Sequence, residues 1–198
     1  MFTAEFITLW GPVALITIAL IWGFARILFL SQKEGVSVLS VLSKKKTSTE
    51  KMASVVAVIL DAYLLIRPFF PSIDPMVYSF THPFSVFGVI LMAFGIGIAI
   101  LSQIDMGKSW RIGIPENKED SQSLITGGLY GYSRNPIYVG IMIFVIGAAL
   151  AVSGPITIFS MLATAILIGK IIEDEEAFMR QSFGEEYECY CARVNRWL

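Results

Sequence analysis

Charge is scarce in this sequence. Only 16% of its 198 residues are Asp, Glu, Lys or Arg, against roughly 25% in an average soluble domain. Hydrophobic residues make up 55%, and the mean hydropathy is +0.68. That balance excludes a disordered chain and argues against an ordinary soluble domain. Histidine is nearly missing: His82 is the sole one, so a histidine-rich metal site is excluded by count. Cysteine is limited to Cys189 and Cys191. One intervening residue gives poor disulfide geometry and half a metal site at best, which removes the secreted disulfide scaffolds. The formal net charge is −1, so no global basic field exists to hold nucleic acid. Nowhere does a strand, a glycine turn and a helix follow in order, which disfavours a Rossmann-type enzyme. Gly95-Ile96-Gly97 lies in an uncharged run and, with Gly88, fits small-residue helix packing better than a nucleotide loop.

What the chain does have is long apolar runs. Five stand out: Ile7–Leu30, Met52–Phe70, Phe84–Leu101, Ile137–Val152 and Pro155–Ile172. Crossing a hydrocarbon core takes about 20 apolar residues, with a range near 17–25. The first three meet that comfortably. The last two are marginal, are separated by Ser153 and Gly154, and read as a tight helical hairpin. The first run lacks the basic start and small-residue cleavage site of a signal peptide. The expected fold is therefore an all-α integral membrane protein of about five transmembrane helices.

The few positive charges are sorted. All of the 15 Lys and Arg except Arg26 and Arg67 fall in 31–51, 102–136 or 170–198. With five crossings these three regions share one side, and the positive-inside rule makes it cytoplasmic, with the N-terminus outside and the C-terminus inside. Arg26 and Arg67, near helix ends, can snorkel. His82 then falls on the outer side as a helix-start residue. Asp61 sits mid-span in the second helix, where an ionisable group is either functional or the structural partner of a neighbouring helix.

Two cytoplasmic stretches are long enough to build a site. In the first, Gly127, Gly128 and Gly131 allow tight turns or close backbone approach. Asn135 and Pro136 suit the N-cap and first position of the fourth helix. Its free amides and Arg134 form an anion site, or Arg134 merely snorkels beside a capped helix; the residues alone leave both open. In the second stretch, Glu173, Asp174, Glu175 and Glu176 follow a membrane helix directly, at an end whose dipole disfavours acid. Nearby Lys and Arg can compensate them, or a ligand ammonium can. An anion clamp at Arg134 with a cation clamp at Glu175 and Glu176 suits a zwitterionic amino-acid group. Met179, Phe183, Tyr187, Tyr190, Val194 and Trp197 recur at helical spacing, predicting an amphipathic helix on the interface or over the site.

These runs resemble the isoprenylcysteine carboxyl methyltransferase family, of the prokaryotic five-span type, and the related membrane phospholipid methyltransferases. The resemblance is carried by Leu124-Ile125-Thr126, Gly128, Tyr130, Arg134-Asn135-Pro136-Ile137-Tyr138-Val139-Gly140, then Glu175-Glu176, Phe183-Gly184, Tyr187, Tyr190 and Arg193-Val194. Asn135 stands where the family usually has histidine. Residues 102–198 carry the likeness, as cytoplasmic loop, hairpin and tail; residues 1–101 match only as three membrane helices. The resemblance implies S-adenosyl-L-methionine as cofactor, S-adenosyl-L-homocysteine as product, no metal, and a lipophilic acceptor reached from the bilayer, with the carboxylate of a prenylcysteine-like molecule favoured. It implies Arg134, Tyr138 and Glu176 as catalytic residues. Cofactor contacts are implied at Leu124, Thr126, Gly128, Tyr130, Arg134, Asn135, Pro136, Tyr138, Gly140, Glu175 and Glu176. An ionised carboxylate needs no general base to accept a methyl group, which suits a face without histidine. A phospholipid amine would first lose a proton, with Glu175 or Glu176 as acceptor after an upward pKa shift. The family's prenylcysteine enzymes carry arginines just before the acidic pair; here Lys170 is the nearest cation. Two other readings are a sterol-type NADPH-dependent membrane reductase and a non-enzymatic membrane subunit. The reductases share an Arg-x-Pro-x-Tyr-x-Gly run, usually followed by an acid, where this chain has Ile141.

Overall fold

The computed structural model describes residues 3–34, 47–70, 73, 84–107 and 123–198. His82, Lys44–Lys46, Lys108, Arg111 and Lys118 lie outside the described residues. Six α-helices and one 3₁₀ turn make up the described fold, with no strand among the described residues. We number the helices α1 (Ala4–Glu34), α2 (Ser48–Ile66), α3 (Ser85–Met106), α4 (Pro136–Ala151), α5 (Pro155–Phe183) and α6 (Glu185–Arg193). The 3₁₀ turn, Gly128–Gly131, precedes α4. Every apolar run of the sequence becomes a helix. Among the described residues α1, α3 and α5 are long and apolar enough to cross a membrane. Helix α4 is apolar but shorter, and α2 carries Glu50, Lys51 and Asp61.

Helices α3 and α4 pack most closely, and two glycine pairs explain how. Gly88 faces Gly147 and Gly95 faces Gly140, so glycines seven apart on each helix meet in antiparallel register. A Cβ on Gly95 would stand 2.5 Å from the Gly140 carbonyl oxygen, and one on Gly147 would stand 2.6 Å from that of Gly88. Without side chains at these points the two backbones touch, the usual means of close helix association where lipid supplies no hydrophobic driving force. Gly97 has open space around it and takes no part. Around this seam lie Ile16, Leu60, Leu64, Met92, Val145, Ala148, Ala151 and Val152, the buried core. The outer faces keep Ile21 and Phe24 of α1, Ile90 and Phe94 of α3, and Phe159 and Ile166 of α5 exposed, as a lipid-facing surface requires.

Polar devices close the ends. Thr47 and Glu50 form a reciprocal capping box at the start of α2, with bonds of 3.2 and 2.7 Å. Pro12 lies inside α1 and has no N–H to give the Thr8 carbonyl; Arg67, just past α2, donates to that oxygen instead at 3.4 Å. The α4–α5 hairpin turns through Val152–Gly154. The fully buried Thr157 hydroxyl fastens it, donating to Val152 O at 2.6 Å and accepting from Gly154 N at 3.2 Å.

Two expectations change. Helix α5 does not stop at Ile172 but runs to Phe183. Glu173–Glu176 therefore sit inside a helix, away from the unfavourable end of its dipole. Nor does one amphipathic helix run from Met179 to Trp197. Gly184, at φ +54, ends α5 and starts α6, because the left-handed backbone open to glycine breaks the helical path.

Candidate functional site

The polar residues collect beyond the apolar part of α5, which ends at Ile172, around the start of α4. Glu176 is their centre. Only 2% exposed, it takes Arg134 Nη2 at 3.0 Å on Oε1, Arg196 Nε at 3.0 Å on Oε1, and Arg196 Nη2 at 2.7 Å on Oε2. Arg180, one turn further along α5, approaches Oε2 at 3.6 Å. Burial opposes ionisation here, but hydrogen bonds from Arg196 and the charges of Arg134 and Arg196 outweigh it and hold the carboxyl below its ordinary range. The expectation that Arg134 and Glu176 clamp opposite ends of a zwitterion is thus revised. They pair with each other, and both carboxylate oxygens of Glu176 are taken by guanidinium groups.

Glu175 is different. Half-buried, it accepts a hydrogen bond from the Tyr138 hydroxyl at 2.8 Å. Burial raises its carboxyl to about 7, against the lowering effect of the Tyr138 bond and with help from the Glu50 charge. The neighbours Glu175 and Glu176 are thus shifted in opposite directions.

Arg134 is held by its ends. Nη1 donates to Cys191 O at 3.3 Å and Nη2 to Glu176. Its Nε is buried and has no partner among the described residues. Asn135 occupies the N-cap position of α4 without capping it. Its side-chain amide donates instead to Arg196 O at 3.0 Å, while its own N–H goes to Ser133 Oγ at 3.1 Å. The Arg134 N–H donates to Asn195 O at 2.9 Å. The last residues of the chain thus lie across the start of α4.

The 3₁₀ turn is pinned from two sides. The Tyr190 hydroxyl of α6 donates to Tyr130 O at 2.6 Å. From α3, Asp105 Oδ2 accepts the Leu129 N–H at 2.7 Å. The phenol of Tyr130 is shifted up by burial and then by the charges of Glu175, Tyr190 and Asp105. Gly128, at φ +60, lies against the Asp105 carboxylate with no room for a Cβ, whereas Gly127 is open.

Of the residues read from sequence, the structure brings Tyr130, Arg134, Asn135, Pro136, Tyr138, Glu175 and Glu176 to one end of the hairpin. Leu124 is half-buried, and Thr126 is exposed ahead of the turn. Gly140 is taken up by packing against Gly95. Sequence reasoning missed Asp105, Arg180 and Arg196. Only Arg180 had a signal, its spacing of four from Glu176.

A helical membrane protein with an ion-paired polar mouth at one end of a hairpin is the class these features define. The family described as phospholipid methyltransferase matches residues 84–186, just over half of the chain, and the chain belongs to that family. It is similar to a probable protein-S-isoprenylcysteine O-methyltransferase of Oryza sativa subsp. indica, 34% identical over 115 residues, 58% of this chain and 60% of the relative. It is also similar to the protein-S-isoprenylcysteine O-methyltransferase of Homo sapiens, 31% identical over 111 residues, 56% of this chain and 39% of the relative. The match thus spans less than two thirds of these relatives' length. Both are eukaryotic, whereas the sequence reading expected the prokaryotic type. A solved structure of a eukaryotic intramembrane Ras methyltransferase, isoprenylcysteine carboxyl methyltransferase, shares the fold, with a TM-score of 0.63 at 20% identity, covering 98% of this chain and 70% of that chain.

Proposed function

We propose that this protein is an integral membrane methyltransferase that uses S-adenosyl-L-methionine to methylate the carboxylate of a lipophilic, prenylcysteine-like acceptor, releasing S-adenosyl-L-homocysteine. The observation that carries the proposal is the convergence of the glycine turn, Arg134 and the Tyr138–Glu175 pair at one end of the α4–α5 hairpin. The residues present suit the cofactor. The buried Arg134 Nε is a donor without a partner among the described residues, ready for an amino-acid carboxylate. Glu175, with exposed Glu173 and Asp174 beside it, offers negative charge for an ammonium. The open face of Gly127 admits close approach of a ligand to backbone.

When bound, the cofactor supplies an electrophilic methyl group on a sulfonium. The chain's own task is then to orient the two reactants and keep the pocket dry, more than to move protons. Arg134 holds an anionic group while anchored by Glu176 and Cys191 O. Tyr138 fixes the Glu175 carboxylate. Exposed apolar faces on α1, α3 and α5 set the site in a bilayer, and the positive-inside rule orients it toward the cytoplasm.

One observation favours a second reading. Glu175, with its carboxyl raised to about 7, is matched to accept a proton from an ammonium near neutral pH, as methylation of a phospholipid amine requires.

The test is isothermal titration of the detergent-purified chain with S-adenosyl-L-homocysteine, alongside NADPH. Binding of the former alone supports the proposal; binding of NADPH alone replaces it with the reductase reading, and binding of neither favours a non-enzymatic subunit. Labelled S-adenosyl-L-methionine with membrane lipids then separates the acceptors, since a methyl ester is lost in mild base and an N-methyl group is retained.

A further inference from the structure

The functional reading accounts for the turn's outward side but not for what holds its inward side. Gly128–Gly131 is a short 3₁₀ element, and such elements have poor hydrogen-bond geometry and little stability of their own. Its opening amides have no partner inside it, so its shape is imposed from outside. Tyr190 takes one carbonyl. On the opposite side the Asp105 carboxylate accepts the Leu129 N–H at 2.7 Å and fills the space a Gly128 side chain would need.

Asp105 is itself held in place. It stands on the last turn of α3, where the final carbonyls lack helical partners. Arg26 of α1 fills that need: its Nη2 donates to Gln103 O at 3.1 Å and to Gly107 O at 2.7 Å. Trp22, one turn earlier, donates from Nε1 to Gln103 Oε1 at 2.8 Å. A cation at the negative end of the α3 dipole is also electrostatically favoured. The ties therefore run in sequence from α1, through the end of α3 and the Asp105 carboxylate, to the backbone of Gly128 and Leu129.

We infer that Asp105 is a positioning residue for the cofactor-binding turn, setting the backbone of Gly128–Leu129 from the end of α3, with Trp22 and Arg26 holding that end in place. The inference rests on the functional reading for the ligand but not for the geometry. Asp105 touches no reacting atom in this scheme; it acts through the turn. Asn at this position keeps an oxygen for the Leu129 N–H, whereas Ala removes the acceptor and opens the space beside Gly128.

The experiment uses the full chain in detergent with two readouts. Amide hydrogen exchange over residues 124–132 without ligand reports the turn directly. Asp105→Ala should exchange there about tenfold faster, the loss expected for a charge-assisted bond, while Asp105→Asn stays near wild type and residues 136–151 are unchanged. Titration with S-adenosyl-L-homocysteine should show a dissociation constant raised about tenfold or more in Asp105→Ala and largely restored in Asp105→Asn. Gly128→Ala should also weaken binding less in the Asp105→Ala background than alone, because one of its two obstacles has gone. Unchanged exchange in Asp105→Ala overturns the positioning role. Faster exchange with unchanged affinity overturns the link between turn and ligand. If wild type binds no S-adenosyl-L-homocysteine, the functional reading falls and the exchange arm alone decides the role of Asp105.

Discussion

Arg196 and Glu176 meet as a two-pronged pair, Nε on one carboxylate oxygen at 3.0 Å and Nη2 on the other at 2.7 Å. The planar fork of arginine matches a carboxylate in this way, and lysine cannot. The pair fastens Arg196 to the C-terminal third of α5, and Asn195 and Arg196 in turn supply the carbonyls that meet Arg134 and Asn135. Asn195 and Arg196 are thus structural parts of the site.

The three arginines of this cluster are not equivalent. Arg134 is 11% exposed, Arg180 and Arg196 more than 40%. Glu176→Gln should cost about 2–4 kcal/mol, toward the lower side of the range for breaking a buried pair, because two of its three partners still reach water. Arg196→Ala should cost about 1 kcal/mol or less, and Arg196→Lys should recover part of that. Thermal unfolding in detergent gives the ranking, and an Arg196→Ala cost equal to that of Glu176→Gln would contradict it.

Opposite pH dependences are expected of the two adjacent glutamates. Glu176 is held below its ordinary range in the folded protein, so its contribution is complete above that range and is lost as pH falls through the folded value. Glu175 is raised to about 7, so its contribution is complete below the ordinary carboxylate range and is lost as pH rises toward 7. Melting temperature against pH should therefore show a shallower acid limb in Glu176→Gln and a smaller decline between the ordinary carboxylate range and about pH 7 in Glu175→Gln. The same slopes in both variants as in wild type would remove the assignment.

The glycine seam makes a paired prediction on one helix. Gly95→Ala puts a methyl group against the Gly140 carbonyl and the Phe144 backbone, and overpacking of this kind costs about 1–3 kcal/mol. Gly97→Ala, two residues on with open space around it, should be neutral or stabilising by up to about 1 kcal/mol through the greater helix propensity of alanine. Equal behaviour of the two in detergent melts would mean the seam does not form as described.

Asn135 should be sensitive to the type of group it presents. Its amide donates to Arg196 O, so Asn135→Ala loses one neutral bond, about 0.5–1.5 kcal/mol. Asn135→Asp should be worse, since a carboxylate then faces a carbonyl oxygen. Asn135→His keeps a ring N–H donor and should fall between wild type and Ala. Measured stabilities in the order Asn, His, Ala, Asp support a holding role; tolerance of Asp removes it.

The helices were legible because lipid enforces long apolar runs, and five such runs became five helices. The seam was partly legible: Gly88 and Gly95 were read as packing residues, and Gly140 and Gly147 repeat their spacing, yet only coordinates show that Gly97 faces away. The extent of α5 was hidden because hydropathy stops at Ile172 while helical backbone does not; Glu, Ala, Phe, Met, Arg and Gln continue it to Phe183. Arg180 was readable from its spacing, but Arg196 reaches Glu176 only because Gly184 redirects the chain. Asp105 had no local pattern at all, since its partner Leu129 is 24 positions away.

Helix α5 has one consequence of its own. At 1.5 Å per residue its 29 residues make a rod of about 43 Å, longer than the roughly 30 Å hydrocarbon core it would cross. The surplus is the stretch bearing Glu175, Glu176 and Arg180, rigidly continuous with the lipid-embedded part. The glycine turn opposite is moored to α3 through Asp105 as well as to α6 through Tyr190. A tilt of α5 against α3, as a thinner or thicker bilayer imposes, therefore loads the bonds that join the two walls, Arg134 to Glu176 and Tyr138 to Glu175.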